Sequence, residues 1–144
     1  MAVTVRAAGK GDIAAVLQLW AVGGENASRP VDSSESVQAL MTRDPDALIL
    51  AEVDGALVGS VIAGWDGWRY HVYRLAVHPD HRRRGVATQL LDRAEQRLAE
   101  LGAGRIDAMV LDDNELGQSV WAARGYRRQA EWSRWAKQPS AAEE

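Results

Sequence analysis

The stretch Leu75-Ala76-Val77-His78-Pro79-Asp80-His81-Arg82-Arg83-Arg84-Gly85-Val86-Ala87 decides how the rest of the sequence is interpreted. An apolar run ends at Pro79, which marks the end of a strand because proline cannot donate to a sheet ladder. Gly85 stands where the chain enters a helix, and it lets a ligand approach the backbone. The first amides of a helix have no partner within it and carry the positive end of the dipole. Strand, glycine turn and helix start therefore predict a phosphate-binding cradle.

Hydrophobic periodicity on both sides of this stretch predicts alternating strands and helices. Strands are predicted over 2–7, 47–53, 57–65, 68–77 and 106–111, with one or two short final strands over 126–136. Helices are predicted from Asp12 to Gly23, over 35–42, from Gly85 to Gly102 and from Asn114 to Gly125. The pairs Asp54-Gly55 and Asp66-Gly67 predict hairpins, so three consecutive strands are antiparallel. The strand, helix and strand after them favour a parallel crossover.

The composition fits one globular domain. The chain has 144 residues with 47% apolar content, so we expect a single domain over 3–137 followed by a disordered tail over 138–144. A net charge of −3 provides no basic field for nucleic acid. No apolar run approaches the roughly 20 residues that span a bilayer, so no membrane partner is expected. The absence of cysteine excludes disulfides and a thiol nucleophile and permits the cytoplasmic location that we expect.

The turn Arg82-x-x-Gly85-x-Ala87 resembles the signature of the GNAT superfamily, the Gcn5-related N-acetyltransferases. Their motif is Gln or Arg, two residues, Gly, one residue, then Gly or Ala. The resemblance covers residues 3–137 and identifies the chain with the small single-domain bacterial type. It implies an α/β (α+β) GNAT fold, with a mixed, mostly antiparallel central sheet of roughly 6–7 strands flanked by about 4 helices. It also implies acetyl-CoA as co-substrate and no metal.

The resemblance implies two surfaces for acetyl-CoA. In the family, backbone amides of the turn bind the pyrophosphate, which here implies Arg82, Arg83, Arg84, Gly85, Val86, Ala87 and Thr88. The preceding strand carries a bulge in the family, and the pantetheine arm pairs with its backbone, here that of Leu75, Ala76 and Val77. An amide near Leu75 or Ala76 would then donate to the thioester oxygen as it gains charge.

A second element, Asn114-x-x-Gly117-x-x-Val120-Trp121-x-x-x-Gly125-Tyr126, resembles the family's Asn-x-x-Ala-x-x-Phe-Tyr-x-x-x-Gly-Phe. It implies that Asn114 touches the pantetheine, although Asn114 also suits a plain helix cap. Trp121 replaces the tyrosine that often protonates departing coenzyme A. An indole N–H donates a hydrogen bond but keeps its proton at working pH, so Trp121 cannot be a general acid. The thiolate, with a pKa of about 8.5, can leave unassisted.

The general acid and base stay open at this point. Tyr70, Tyr73 and Tyr126 are alternative proton donors between which the spacing does not choose. For the base that deprotonates the attacking amine, strand ends and central strands offer Glu52, Asp66, His71 and Asp112. A histidine in an alternating strand more often packs or faces solvent than acts as a base, and a water chain would leave no motif. The catalytic candidates are therefore Tyr73, His71 and Asp66 for proton transfer, and Trp121, whose indole N–H could orient or hydrogen-bond the sulfur.

The sequence thus predicts an acetyl-CoA-dependent N-acetyltransferase that acts on a primary amine of a small molecule or peptide by direct attack in a ternary complex. One alternative is an acyltransferase for a longer acyl-CoA, since the motif reads the coenzyme and not the acyl tip. Another is a non-catalytic acyl-CoA-binding sensor, suggested by Trp121. A nucleic-acid module built on Arg82–Arg84 is weak given the net acidity. The sequence leaves open whether the protein forms a homodimer. Four tryptophans would either fill a core or form a pocket or interface, namely Trp65, Trp68, Trp132 and Trp135.

Overall fold

The computed structural model describes residues 2–23, 31–112 and 114–139, which form two compact units divided after Met109. The first unit contains all the strands described below, and the second unit begins at Val110. The expectation of one domain over 3–137 stays a prediction. Most of the expected tail, from residue 140 onward, lies outside the described residues.

The strands of the first unit are β1 (Val3–Ala7), β2 (Leu48–Val53), β3 (Ala56–Trp65), β4 (Tyr70–Val77) and β5 (Asp107–Ala108). Its α-helices are α1 (Ile13–Gly23), α2 (Ser34–Arg43) and α3 (Val86–Glu100). Short 3₁₀ turns precede α1 and follow β4, at Lys10–Asp12 and Pro79–His81. The second unit contains α4 (Glu115–Ala123). None of the described helices is both long and apolar enough to cross a membrane.

The sheet confirms the predicted fold class. Its strand order is β1-β2-β3-β4-β5, and each pair from β1 to β4 is antiparallel. The last pair, β4 with β5, is parallel, with His71 opposite Asp107 and Val72 opposite Ala108. The sheet is therefore mixed and mostly antiparallel, and α3 supplies the predicted crossover between its parallel strands. The four α-helices of the described chain also agree with the expectation.

The predicted count of 6–7 strands was too high, because the sheet formed by the described residues has five. Residues 126–136 contain no strand, and every residue there except the half-buried Tyr126 is exposed, so the segment has no buried face. Trp132 and Trp135, which the prediction used together with Tyr126 and Ala130, are 73% and 93% exposed. The strand predicted over 106–111 is reduced to Asp107–Ala108.

Helices cover both faces of the sheet. Successive residues of a strand point to opposite faces, and Gly59 and Ser60 of β3 show which helix lies on each. Gly59 lies against Val86 and Leu90 of α3, whereas the Ser60 hydroxyl bonds to Trp20 of α1. On the α1 and α2 side, one cluster of buried side chains contains Val16, Leu19, Trp20, Val37, Met41, Ala47, Leu48, Leu50, Ile62 and Ala76. This arrangement fixes the position of β4 between two packed layers.

The two Asp-Gly pairs behave differently. Asp54 and Gly55 both have positive φ, 51° and 80°, and form the predicted two-residue hairpin turn. Asp66 instead starts a four-residue loop, since Trp65 pairs with Tyr70 across it. Its carboxylate accepts the backbone N–H groups of Trp68 and Arg69 at 2.8 Å each. This side-chain bonding competes with the sheet ladder, so β4 begins at Tyr70 and not at residue 68.

Candidate functional site

The cradle, residues 82–88, begins directly after the 3₁₀ turn that ends β4. Arg83 and Gly85 both have left-handed backbone conformations, with φ of 63° and 79°. Such angles are unfavourable for residues with a Cβ, so Gly85 is the position where glycine suits the turn. A Cβ added at Gly85 would meet no other atom within 4 Å. The space in front of this glycine is therefore open, as a binding loop requires.

The first turn of α3 begins beside that space. Gln89 N–H donates to the Gly85 carbonyl at 3.1 Å, which is the first bond of the helix. The three preceding amides, those of Val86, Ala87 and Thr88, have no partner within the helix, and no side chain caps it at Gly85. Three exposed arginines precede the helix, namely Arg82, Arg83 and Arg84. Amides, helix dipole and guanidinium groups together favour a phosphate anion.

Gly59 sets the position of the cradle, and sequence reasoning missed it. A Cβ at Gly59 would lie 2.8 Å from Val86 Cγ1, 2.9 Å from Leu90 Cδ1 and 3.2 Å from the Ala76 carbonyl oxygen. No other residue would let the start of α3 approach β3 and β4 so closely. The available signal was a glycine inside an apolar strand, which often marks close approach of another segment.

β4 carries the bulge that the resemblance implies. Ser60 of β3 pairs with Ala76, but Ile62 pairs with Tyr73. Two residues of β4, Arg74 and Leu75, therefore oppose one residue of β3. Arg74 adopts a left-handed conformation with φ of 54°. The bulge lies at the start of the segment 75–77 for which backbone binding is expected.

The far edge of β4 is open beside the same segment. Among the residues that the structure describes, β5 pairs with β4 only at His71 and Val72. From Tyr73 to Val77, this edge has no neighbouring strand in the described sheet. Leu75, Ala76 and Val77 thus belong to a strand edge without a neighbouring strand in the described sheet, and an extended molecule can pair with such an edge.

Four side chains hold the bulge from the α1 side, and we call Trp20, Ser60, Arg74 and Asp32 the bulge lock. Trp20 Nε1–H donates to Ser60 Oγ at 2.8 Å, and Ser60 Oγ–H donates to the Arg74 carbonyl at 3.0 Å. The Arg74 guanidinium lies 4.6 Å from the centre of the Trp20 ring and forms an ion pair with Asp32. Sequence reasoning missed all four, because their contacts join segments that are far apart in the chain.

Two of the acidic candidates for a base have structural roles. Glu52 accepts a hydrogen bond from Arg6 at 2.8 Å. It lies on β2, which β3 separates from β4. The Asp66 carboxylate is exposed and accepts the N–H groups of Arg69 and Trp68, and these bonds lower its pKa. An ionised carboxylate that caps a loop is a poor base. In the second unit, the exposed Asp112 lies 3.5 Å from Arg128.

Three of the catalytic candidates lie on β4: Tyr70 is hydrogen-bonded to the end of α3, Tyr73 lies next to the bulge, and His71 lies between them. Tyr70 donates its hydroxyl proton to the Leu101 carbonyl at 3.2 Å, so it closes the end of α3. Tyr73 lies over Gly64, where an added Cβ would be 3.1 Å from the ring. Burial raises the pKa of Tyr73, and the negative charge of Asp44 adds to the effect. His71 is half-buried two residues earlier on β4, and so on the same face as Tyr73.

In the second unit, Asn114 is a helix cap. Its Oδ1 accepts the Gly117 N–H at 2.9 Å, and a Cβ at Gly117 would overlap the Asn114 amide group. An alanine at position 117 would therefore require the Asn114 side chain to shift. Trp121 is buried, and its ring meets Tyr126 edge to face with 5.0 Å between ring centres. Gly125, with φ of 91°, ends α4. In the part of the chain that the structure describes, no group of three acidic or histidine side chains could hold a metal ion.

Comparison with known proteins identifies relatives of this chain. Residues 14–126 match the model of the acetyltransferase (GNAT) family. An acetyltransferase of Pectobacterium atrosepticum is 41% identical over 107 residues, which cover 72% of this chain and 73% of that relative.

Solved structures share the fold at lower identity. Ard1 from Thermoplasma volcanium superposes with a TM-score of 0.76 at 20% identity, over 87% of this chain and 82% of that one. A diaminobutyrate acetyltransferase from Paenibacillus lautus, solved with L-2,4-diaminobutyric acid and coenzyme A, superposes with a TM-score of 0.73 at 23% identity. That match covers 85% of this chain and 74% of the other.

Proposed function

Because the chain belongs to the acetyltransferase (GNAT) family, we propose that it is an N-acetyltransferase that moves the acetyl group of acetyl-CoA to a primary amine. The acceptor is a small molecule or a peptide, and the amine attacks directly in a ternary complex. The observation that carries the proposal is an anion cradle that follows directly on a bulged, open strand edge within one compact unit. The neighbour solved with coenzyme A and a diamino acid supports this choice of substrates.

Each surface has a separate binding task. The amides of Val86, Ala87 and Thr88 donate to the pyrophosphate, with Arg82–Arg84 adding positive charge. The main chain of Leu75, Ala76 and Val77 pairs with the amide groups of the pantetheine arm, as an added strand would. In the second unit, Asn114 stays a predicted contact of pantetheine in addition to capping α4.

The bulge serves the chemical step. An amide of Leu75 or Ala76 donates to the thioester oxygen, which gains negative charge when the amine attacks. A C–N bond forms, the C–S bond breaks, and the sulfur leaves with the electron pair as a thiolate. Trp121 supplies no proton, and a thiolate of ordinary pKa leaves without one. Glu52 and Asp66 are held by Arg6 and by the 66–69 loop, which leaves water, His71 or Asp112 to receive the proton of the attacking amine.

The test is turnover of acetyl-CoA against a panel of amines, followed by release of free thiol. The chain contains no cysteine, so a thiol reagent detects only the coenzyme product. We expect turnover with at least one diamino acid, polyamine, aminoglycoside or short peptide. Binding without turnover across the panel would favour the sensor alternative, and preference for a longer acyl-CoA would change the donor. No binding of acetyl-CoA at millimolar concentration would refute the proposal.

A further inference from the structure

The bulge of β4 is unfavourable without support. Arg74 is not glycine, yet its φ is 54°, a conformation that costs energy for a residue with a Cβ. A bulge also removes a residue from the ladder, which leaves main-chain groups to be satisfied elsewhere. Ser60 opposite the bulge is fully buried, so water cannot satisfy a carbonyl group there.

Ser60 provides what the ladder does not. Its hydroxyl donates to the Arg74 carbonyl at 3.0 Å and accepts the Trp20 Nε1–H at 2.8 Å. Because Trp20 is a donor only, the serine proton is directed to the carbonyl. In a buried, connected network of this kind, the loss of one member leaves another polar group unpaired.

The same tryptophan also fixes the side chain of the bulged residue. The Arg74 guanidinium lies 4.6 Å from the ring centre of Trp20 and pairs with Asp32, and only 5% of the Arg74 side chain is exposed. Arg74 is thus held at its carbonyl through Ser60 and at its guanidinium by Trp20 and Asp32. Both its backbone and its side-chain conformation are determined by residues outside β4.

We propose that the bulge lock positions the main chain of Leu75, Ala76 and Val77 for the pantetheine arm and the thioester, with Ser60 as the central positioning residue. The inference rests on the proposed function. Ser60 and Trp20 act through the Arg74 carbonyl and touch no substrate. Loss of the lock relaxes the bulge and misdirects the amides that follow it, while the cradle is unaffected because it rests on α3 and Gly59.

The test separates the two binding surfaces by ligand. Coenzyme A uses the cradle and the strand edge, whereas 3′-phosphoadenosine 5′-diphosphate has the same phosphates without the pantetheine arm. For Ser60→Ala we expect the affinity for coenzyme A to fall about tenfold, the effect of losing roughly one well-placed hydrogen bond. Affinity for the shorter ligand should stay within about twofold. Trp20→Phe, which removes the donor to Ser60, should give the same pattern.

The matched control is Ile49→Val, a buried truncation on β2 that removes no hydrogen bond. It should leave both affinities unchanged at a similar loss of stability. Equal weakening of both ligands by Ser60→Ala would overturn the inference in favour of general destabilisation, and unchanged binding of both would overturn it too. If Ser60→Ala does not fold, Trp20→Phe decides by the same readout. Failure of the wild-type protein to bind coenzyme A would instead refute the proposed function.

Discussion

The cradle and the bulge are both main-chain surfaces with a left-handed residue that is not glycine, yet they are maintained in opposite ways. In the cradle, Arg83 has φ of 63° two residues before Gly85, in an exposed turn. In the bulge, Arg74 has φ of 54° and is buried under Trp20, with Ser60 and Asp32 as further partners. The backbone conformation of the cradle therefore depends on its own few residues, and Gly59 sets only its position, whereas the conformation of the bulge depends on contacts from α1, β3 and the segment before α2.

The largest expected effect comes from breaking the cradle locally. Gly85→Glu places a carboxylate where the pyrophosphate is proposed to bind, and we expect acetyl-CoA affinity to fall at least about 100-fold, because like charges meet at close range. Binding is measured by calorimetry on the folded variant.

Gly55→Glu is the matched control for that change. Gly55 has nearly the same φ, 80° against 79°, and equally open space around a Cβ. Both variants should lose about 1–2 kcal/mol of stability through backbone strain, but only Gly85→Glu should lose affinity. Equal affinities in the two variants would remove the cradle from the binding site.

A smaller effect is expected when the bulge is disturbed from a distance. Asp32→Asn breaks the ion pair with Arg74, whose side chain is 5% exposed, and leaves that guanidinium with a weaker partner. We expect acetyl-CoA affinity to fall about fivefold, with about 1–3 kcal/mol of stability lost. Binding of the ligand without the pantetheine arm should not change. If it weakens as much as acetyl-CoA binding does, the two regions are not independent.

Trp121 tests the chemistry without disturbing either region. If the thiolate leaves unassisted, Trp121→Phe should keep kcat within about threefold, because no proton donor is lost. Trp121→Tyr, which adds an acid of pKa near 10, should gain little. Steady-state kinetics with saturating acetyl-CoA measure both. A roughly hundredfold loss of kcat in Trp121→Phe at normal acetyl-CoA affinity would show that the indole N–H stabilises the leaving sulfur.

The smallest effect on binding is expected for the ion pair between Arg6 and Asp12. It has the same chemistry as the pair of Arg74 with Asp32, but Arg6 lies on β1, at the edge of the sheet away from β4. The Asp12 carboxylate accepts hydrogen bonds from Arg6, and chiefly because of them the pKa of Asp12 falls to about 2. Burial of the carboxylate opposes this shift. A lowered carboxyl pKa stabilises the fold above the unfolded value of 3.8, and this stability is lost as pH falls towards 2.

Asp12→Asn should therefore lower the free energy of unfolding by about 1 kcal/mol at pH 7, after allowance for solvent screening. The difference from wild type should shrink below pH 4, as measured by thermal unfolding at several pH values. Acetyl-CoA affinity should be unchanged. A loss of affinity comparable to that of Asp32→Asn would mean that ion pairs act on binding through stability alone.

The same contrast explains which features the sequence predicts. The cradle and the Asp54-Gly55 turn are local, because a few adjacent residues select their backbone angles. The contact of Trp20 with Ser60 joins positions 40 residues apart, and no local pattern encodes it. The strands expected over 126–136 failed because the spacing of apolar residues does not show whether a segment is buried, and almost all of these residues are exposed. The second hairpin failed in detail because the Asp66 side chain bonds its own loop.

Gly59 also controls the spacing between the cradle and the bulge. Because no methyl group separates β3 from Val86 and Leu90, the start of α3 is held at a fixed distance from the edge of β4. Under the proposed function, one molecule of acetyl-CoA contacts both the cradle and the bulge, so its pantetheine arm must reach across the distance between them. A side chain at Gly59 would lengthen that distance. The missing methyl group therefore keeps the two proposed binding surfaces close together.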